Sequence, residues 1–387
     1  MKNHVPLYKE IEQFIMSQIR NNNWATNSKI PSENELAAQF HVSRITVKNA
    51  LTNLVESGVI FRQQGKGSFV SPNHHIALDS LYQKQNNGQK RAIGFLMPRL
   101  DNRFTANVLS GIEDELSNAN YHLIFAKTND SQTHEILKIK EMLEYGVDGL
   151  IIFPVEGEHY NNEILSLTLS KFPLVLVDRF LKGIDTSSVS SDNYNASIDA
   201  VNHLYELGHR HIALFSSKAE GTSSIEDRIS GYEQGLENNK ILINRGLQVS
   251  NMTFDMTHEQ IYTIVSNFLD ENPEVTAIIT CNMGVEIIRA VRETGRNVPK
   301  DLSIIIFDDI PDANYFHLSP TVIAQQELEI GREAAKHIIE QIQHIEQGEQ
   351  VWRRIQLPTT IISRETTDIA PQSNAITQQN YQLQSPS

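Results

Sequence analysis

Between residues 92 and 308 the chain repeats one pattern, a short unbroken apolar run followed by a longer stretch of helical periodicity. The runs are AIGFLMP (92–98), YHLIFA (121–126), GLIIFP (149–154), PLVLVD (173–178), HIALFS (211–216), TAIITC (276–281) and LSIIIFD (302–308). A strand that is apolar at every position offers no face to water, so both its faces must be covered. The stretches 105–118, 131–144, 193–207, 225–239, 283–292 and 326–347 carry the 3.6-residue period and supply that cover. The pattern predicts parallel sheets sheathed by helices, an α/β body of the doubly wound kind. Ligands of such sheets bind beyond the carboxyl ends of the strands, which says where polar residues matter.

The first 71 residues follow other rules. Leu7, Ile11, Ile15 and Ile19 are spaced by four and form the stripe of a first helix. Ser32 followed by Glu35 is a capping-box pattern, with Leu36, Ala37 and Phe40 as the apolar face behind it. After His41-Val42, Ser43 can cap a further helix whose buried stripe is Val47, Ala50, Leu51, Leu54 and Val55, and Gly58 is placed to end it. VIFRQQGKGSFV (59–70) then reads as two strands around a glycine-rich tip. Three helices and a hairpin make a winged helix-turn-helix, in which the third helix enters the major groove and the tip reaches the backbone or neighbouring groove. Arg44, Thr46 and Lys48 lie opposite the apolar stripe, where a guanidinium suits guanine edges and phosphates.

Charge supports the division. Residues 1–71 hold eight Lys/Arg against five Asp/Glu, a net of +3, while the rest holds 25 against 42, a net of −17. An acidic body with a basic end permits nucleic-acid contact by that end alone. With 387 residues the chain is too long for one core. Residues 72–90 are Asn/Gln-rich and read as a linker, and 365–387 are Gln/Ser/Pro-rich and read as a disordered tail. No apolar run approaches the ~20 residues of a membrane helix. The N-terminus lacks a signal-peptide core, and Cys281 is the single cysteine. The expectation is a cytoplasmic protein.

At the strand ends stand Asn102, Arg103 and Phe104, then Glu156, Asp178 with Arg179, Asn282, and Asp308 with Asp309. Carboxylates and amides pair with vicinal hydroxyls and Phe offers a flat apolar face, so their shared position points to a cleft for a polar small molecule. Enzyme readings lack their motifs. A nicotinamide enzyme needs G-x-G-x-x-G after a strand, and AIGFLMPRLDNRF has one glycine and a proline. No G-x-S-x-G elbow is present. His74-His75 and Gly208-His209-Arg210-His211 have no further ligands nearby, so no metal or other cofactor is expected.

PSENELAAQFHVSRITVKNALTNLVESGVI…QGKGSFV closely resembles the DNA-binding domain of GntR-family repressors over about 70 residues. It matches P-S-E-x-x-L, V-S-R-x-T-V, a helix closed by Gly and a G-x-G-[ST]-x-V wing. The resemblance implies DNA contacts from Ser32, Glu33, Ser43, Arg44, Ile45, Thr46 and Lys48, and from Gln64, Gly65, Lys66 and Gly67. Lys48 stands where Arg is more frequent, which keeps a phosphate contact and loses a bidentate fork.

Residues 91–364 resemble the effector domain of LacI/GalR regulators, relatives of periplasmic sugar-binding proteins. The landmarks include VDGLIIFP, FPLVLVDRF, VSSDNYNAS, DRISGYEQGL, AIITCN, LSIIIFDDI and LSPTVIAQQELEIG. That resemblance implies two lobes joined by crossings near 190, 324 and 352. It also implies sugar contacts from Asn102, Arg103, Phe104, Asp178, Arg228, Asn282, Asp308 and Gln325, with Arg228 facing Asp308 from the opposite side. A GntR-type reader on a LacI-type sensor is the pairing seen in arabinose repressors of Gram-positive bacteria. It implies a homodimer on double-stranded operator DNA, released by L-arabinose or another small mono- or disaccharide. The bland alternative is a sugar-binding protein with no regulatory role.

Overall fold

The computed structural model describes residues 7–20, 23–63, 65–72, 74, 91–157, 161–308, 318–346 and 351–371. The chain divides into two compact units, residues 1–90 and 91–387. Most of the expected linker, and the tail from 372 onward, lie outside the described residues.

In the first unit, helices α1 (Leu7–Arg20), α2 (Glu33–Phe40) and α3 (Arg44–Glu56) precede a hairpin of β1 (Ile60–Gln63) and β2 (Gly67–Val70). Ile11, Ile15 and Ile19 of α1 meet Leu36, Val47, Leu51 and Leu54 in one core, closed below by Ile60 and Val70 of the hairpin. The hairpin register, Ile60 opposite Val70 and Gln63 opposite Gly67, leaves Gly65 and Lys66 in the turn. A third run lies along β2, where Ile30 N–H donates to the Ser68 carbonyl at 3.0 Å and Val70 N–H to Ser28 at 3.0 Å.

The second unit holds two six-stranded sheets. In chain order the further strands are β3 (Ala92–Met97), β4 (His122–Lys127), β5 (Gly149–Ile152), β6 (Leu174–Val177), β7 (Ser187–Ser191), β8 (Ile212–Phe215), β9 (Gln248–Val249), β10 (Ala277–Thr280), β11 (Ser303–Phe307), β12 (Thr321–Ala324), β13 (Arg354–Leu357) and β14 (Thr360–Ile362). The first sheet runs β13-β7-β6-β5-β3-β4 and is parallel throughout. The second runs β14-β12-β11-β10-β8-β9, with only β14 antiparallel. Helices α4 (Arg103–Asn118), α5 (Gln132–Tyr145) and α6 (Asn162–Leu169) belong to the first lobe. The second lobe takes α7 (Asn193–Glu206), α8 (Ser223–Asn238), α9 (His258–Glu271) and α10 (Gly284–Glu293). Helix α11 (Glu327–Glu346) follows a strand of the second sheet and packs back on α4 and the first.

All seven apolar runs are strands, and all six helical stretches are helices. Two helices and several strands were not foreseen. Helix α6 spans only two turns, and β7 reads SSVSS yet is buried at every position. Helix α9 was legible, because Thr257 and Gln260 form a capping box ahead of Ile261, Val265 and Phe268.

Among the described residues the chain passes between lobes three times, at 191–193, 324–327 and 357–360. The third crossing lies beyond the expected 352, because β13 first completes the edge of the lobe 1 sheet beside β7. The effector unit also extends past 364. Thr366 is fully buried, its hydroxyl donates to the Ile304 carbonyl at 2.6 Å, and the Asp368 carbonyl meets His209 Nε2 at 3.1 Å. Residues 365–370 therefore seal the rim of the second sheet, and the expectation of disorder starting at 365 is wrong for them.

Helices α4 and α11 cross backbone to backbone. A Cβ on Gly111 would lie 2.1 Å from the Leu328 carbonyl oxygen, and one on Gly331 2.2 Å from that of Val108. Neither obstacle is a flexible side-chain tip. Gly331→Ala should therefore destabilise lobe 1 by roughly 1–3 kcal/mol or more, seen as a lowered Tm of the full chain. An unchanged Tm would show that the two helices part without cost.

Candidate functional site

Two surfaces gather the polar residues singled out above, one on each unit. On the winged unit, Ser32 caps α2, its hydroxyl accepting from Glu35 N–H at 3.3 Å while the Glu35 carboxylate accepts from Ser32 N–H at 2.7 Å. These bonds to Ser32 hold the Glu35 carboxyl below its ordinary range. Ser43 caps α3 in the same way, accepting from Thr46 N–H at 3.2 Å, and its hydroxyl pairs with the Thr46 hydroxyl at 2.9 Å. Both serine side chains are thus engaged in starting helices. His41 in the left-handed region (φ 54°) turns the chain between α2 and α3.

With its amino end fixed, α3 presents Arg44 (side chain 68% exposed), Ile45 (72%) and Lys48 to solvent. The wing brings up Gly65, Lys66 and Gly67, all exposed, with both glycines at positive φ. Gln64 lies outside the described residues. Arg62, on the solvent side of β1, was missed by sequence reasoning. It reaches the Glu33 carboxylate at 3.3 Å, and Arg44 approaches the same carboxylate at 3.8 Å. Its alternation with buried Ile60 carried the signal. One exposed face therefore combines two arginines, two lysines, an isoleucine and a glycine-rich tip, the chemistry that meets phosphates and base edges.

The second surface is a cleft of about 510 Å³ between the two lobes of the effector unit. Asn102, Arg103, Phe104, Glu156, Asp178, Arg228, Asn282, Asp308 and Gln325 all line it. Asp178 follows β6 and Asp308 follows β11, and both hold positive φ, 65° and 73°. Asp tolerates that left-handed conformation better than most residues, and here it lets a strand stop with its carboxylate at the sheet edge. The two lobes thus offer matching carboxylates.

Arg228 is buried. Its Nε donates to Asn193 Oδ1 at 2.8 Å, one Nη donates to the Cys281 carbonyl at 2.8 Å, and the guanidinium lies 3.8 Å from the centroid of the Phe307 ring. It does not face Asp308 from across the cleft, since both belong to lobe 2. Helix α8 and β11 pack in one lobe, so the lobe 1 side is supplied by Asp178, Arg103 and Glu156. The acidic neighbours Glu226 and Asp227 pair with Lys182 and Arg354 instead of with Arg228.

Burial pushes the Asp308 carboxyl up to about 6, against the opposing pull of Arg228 and of the Gln325 amide. Burial likewise pushes the Cys281 thiol up to about 11. Asn282 is the most telling residue, because neither its amide oxygen nor its nitrogen has a hydrogen-bond partner among the described residues although both are buried. Buried amides are normally satisfied, and this one keeps both hydrogen-bonding ends available at the cleft wall. Ser217, missed in the sequence, has a hydroxyl in the same condition at the same wall.

Some expected roles change. Asn102 caps α4, its oxygen accepting from Thr105 N–H at 2.9 Å. Phe104 is 6% exposed and meets Phe153 edge-on at 6.1 Å, so it forms wall more than open stacking face. Arg179 ties Glu156 at 2.9 Å and the Pro154 carbonyl to the cleft edge. The loop carrying Glu156 rests on buried Glu135, which accepts from Val155 N–H at 2.9 Å and from the Asn161 amide at 2.7 Å. Among the described residues no group of three His, Cys, Asp or Glu could hold a metal ion, and no helix is long and apolar enough to cross a membrane.

Residues 7–70 match the family model described as bacterial regulatory proteins, gntR family, and residues 201–367 match that of the periplasmic binding protein-like domain. The arabinose metabolism transcriptional repressor of Geobacillus stearothermophilus is 26% identical over 373 residues, covering 94% of this chain and 99% of that one. A probable HTH-type transcriptional regulator of Paenibacillus polymyxa, EndR, is 30% identical over 279 residues, 71% of this chain and 80% of its own. Among solved structures, a LacI family transcriptional regulator from Enterococcus faecium with bound ribose superposes with a TM-score of 0.61 at 27% identity, over 72% of this chain and 99% of that one.

The thiol gives a direct check on the cleft wall. A buried cysteine held protonated should react with iodoacetamide at pH 8 far more slowly in the native chain than in the unfolded one. Equal rates would mean that Cys281 is open to solvent.

Proposed function

Because the chain belongs to the bacterial helix-turn-helix transcriptional regulators, with a GntR-type winged reader and a LacI-type effector domain, we propose that it represses transcription from operator DNA as a homodimer and is released by a small sugar, L-arabinose first among candidates. It is a regulator and not an enzyme. The observation that carries the ligand reading is the unpaired Asn282 amide beside Asp308 and Arg228. A ligand with adjacent hydroxyls can donate to the carboxylate and amide oxygen and accept from the amide nitrogen. Six carboxylates, Asp101, Asp130, Glu156, Asp178, Glu286 and Asp308, line the cleft with four guanidiniums, Arg99, Arg103, Arg179 and Arg228, and such a mixed set of acceptors and donors suits a neutral polyol.

Arabinose is favoured by two relatives named as arabinose metabolism repressors, each 26% identical. Ribose stands bound in one related structure. Another mono- or disaccharide is therefore the second reading. A single winged unit reads few base pairs, so two half-sites on a two-fold axis supply useful specificity, and dimerisation through the acidic effector unit follows. A protein of this kind works in the cytoplasm, where the DNA is.

Calorimetry with L-arabinose, D-ribose and cellobiose tests the ligand. If sugar hydroxyls donate to ionised Asp308, the Kd should be flat above pH 7 and about tenfold weaker by pH 5, because protonation through about 6 removes the acceptor. Asp308→Asn should abolish both the binding and its pH dependence, while leaving operator affinity as it was. Tight, pH-independent binding by Asp308→Asn would remove this residue from the site.

The DNA reading has its own test. Arg44→Ala should cost roughly 1–3 kcal/mol of operator binding and relax discrimination at one base position. Lys48→Ala or Lys66→Ala should weaken all sequences alike and reduce the salt slope by about one each. The assignment fails if Arg44→Ala binds an operator as tightly as wild type at fixed salt.

A further inference from the structure

Gln325 was expected to touch ligand, yet both ends of its amide are taken by protein. Its Nε2 donates to Asp308 Oδ1, and its Oε1 accepts from the Ser191 hydroxyl at 2.6 Å. Ser191 is 1% exposed and Gln325 7%. Their positions give the contact its meaning. Ser191 is the last residue of β7, where the chain leaves lobe 1 for the first time, and Gln325 directly follows β12, where it returns. One buried hydroxyl and one buried amide thus join two of the three lobe crossings to the carboxylate that lines the cleft.

An ionised carboxylate only accepts, so Asp308 takes the Gln325 nitrogen and turns the amide oxygen toward Ser191, whose hydroxyl donates to it and fixes the amide at its other end. Without that hydroxyl the buried Oε1 is left with no donor, and the amide is held at the Asp308 end alone. Ser191 itself is too far along this chain to serve as a ligand contact; it acts through Gln325.

We propose that Ser191 is a positioning residue, which through Gln325 ties the first and second lobe crossings to Asp308, so that a hydroxyl-bearing ligand competing for Asp308 loosens that tie and is felt at the hinge. This rests on the reading of the cleft as a sugar site for its ligand, but the tie itself is testable in the ligand-free chain.

The relevant charge is the Asp308 carboxyl. It is faced by Arg228 from α8, by Asp178 at the end of β6, by Glu327 at the start of α11 and by the Cys281 thiol beyond β10. Its folded-state pKa of about 6 lies above the ordinary 3.8, so the folded chain holds the proton more tightly than the unfolded one. Asp308 therefore contributes stability at low pH that is lost as pH rises from about 4 to about 6. Asp308→Asn removes that loss, and the difference between wild type and Asp308→Asn isolates it.

The experiment is the pH dependence of Tm, pH 4 to 8, for the full-length wild type, Ser191→Ala, Asp308→Asn and the double variant, without sugar. In the Ser191→Ala background the loss attributable to Asp308 should end about one pH unit higher, the lower end of what one hydrogen bond to a carboxylate is worth. Gln325→Met, which removes both bonds at once, should do the same and stands in should Ser191→Ala fail to fold. Identical Asp308-dependent profiles in the presence and absence of the Ser191 hydroxyl would overturn the proposal. In a second arm, calorimetry with whichever sugar wild type binds should give an upward-shifted pH profile for Ser191→Ala, with binding above pH 7 at least as tight as wild type because the competing tie is weaker. A wild type that binds no sugar counts against the ligand reading and leaves the first arm standing as the test of the tie.

Discussion

The cleft depends on the burial of parallel strands on both faces. A strand such as Leu174–Val177 or Ser303–Phe307 has no solvent-facing side, so helices must cover it above and below, and the only places left for polar chemistry are its ends. In both lobes the end that matters is closed by an aspartate with positive φ, Asp178 and Asp308. The carboxylates face a gap that neither sheet can fill, and the residues collected around it are those that could not be placed in a core. Function here is set at the margins of a scaffold whose clusters of buried side chains are mainly apolar.

Away from the cleft, several polar groups that enter the interior are paired, and the pairs link distant parts of the chain. Ser187 of β7 meets His337 of α11 at 2.8 Å, and the Gln341 amide accepts from Leu174 N–H at 2.9 Å and donates to its carbonyl at 3.1 Å. Burial lowers the His337 pKa, so the imidazole acts as a neutral hydrogen-bonding group. These bonds hold α11 on a lobe to which it does not belong by sequence neighbourhood. At the seam between lobes, Phe180 N–H donates to Ser223 at 2.9 Å and Arg354 approaches Asp227 at 3.6 Å, beside the helix that carries Arg228. The Arg354–Asp227 pair is partly exposed, and ion pairs of that kind are individually weak. A ligand can therefore shift the balance between lobe arrangements, provided it binds them unequally.

The winged unit obeys a simpler logic. Two serine caps fix where α2 and α3 begin, and with them the orientation of the exposed face of α3. The buried stripe Val47, Ala50, Leu51 and Leu54 leaves Arg44, Ile45 and Lys48 no choice but solvent or a partner. Glu33 lies between Arg44 and Arg62, so α2, α3 and the wing share one carboxylate. An anion brought to that face finds the cations already grouped.

The sequence by itself determined everything that follows from periodicity and local chemistry. The seven apolar runs had to be strands, the capped stretches helices, and the Ser32–Glu35 box a helix start, since each answers to neighbours within four residues. It also determined that Asn282 and Asp308 stand at strand ends. What only the tertiary structure decided rests on long-range pairing. β7 is serine-rich and carries no hydrophobic period, yet it is buried because β6 and β13 flank it and His337 and Gln325 reach its hydroxyls. Arg228 and Asp308 share a lobe because α8 and β11 pack together across some 80 residues of chain. The third crossing lies at 357–360 because β13 finds an edge beside β7, and residues 365–370 are ordered because Thr366 fills a gap over Ile304. No spacing rule encodes those partners, since hydrogen bonds between distant residues depend on where the sheets end, and that is settled only when both lobes have packed.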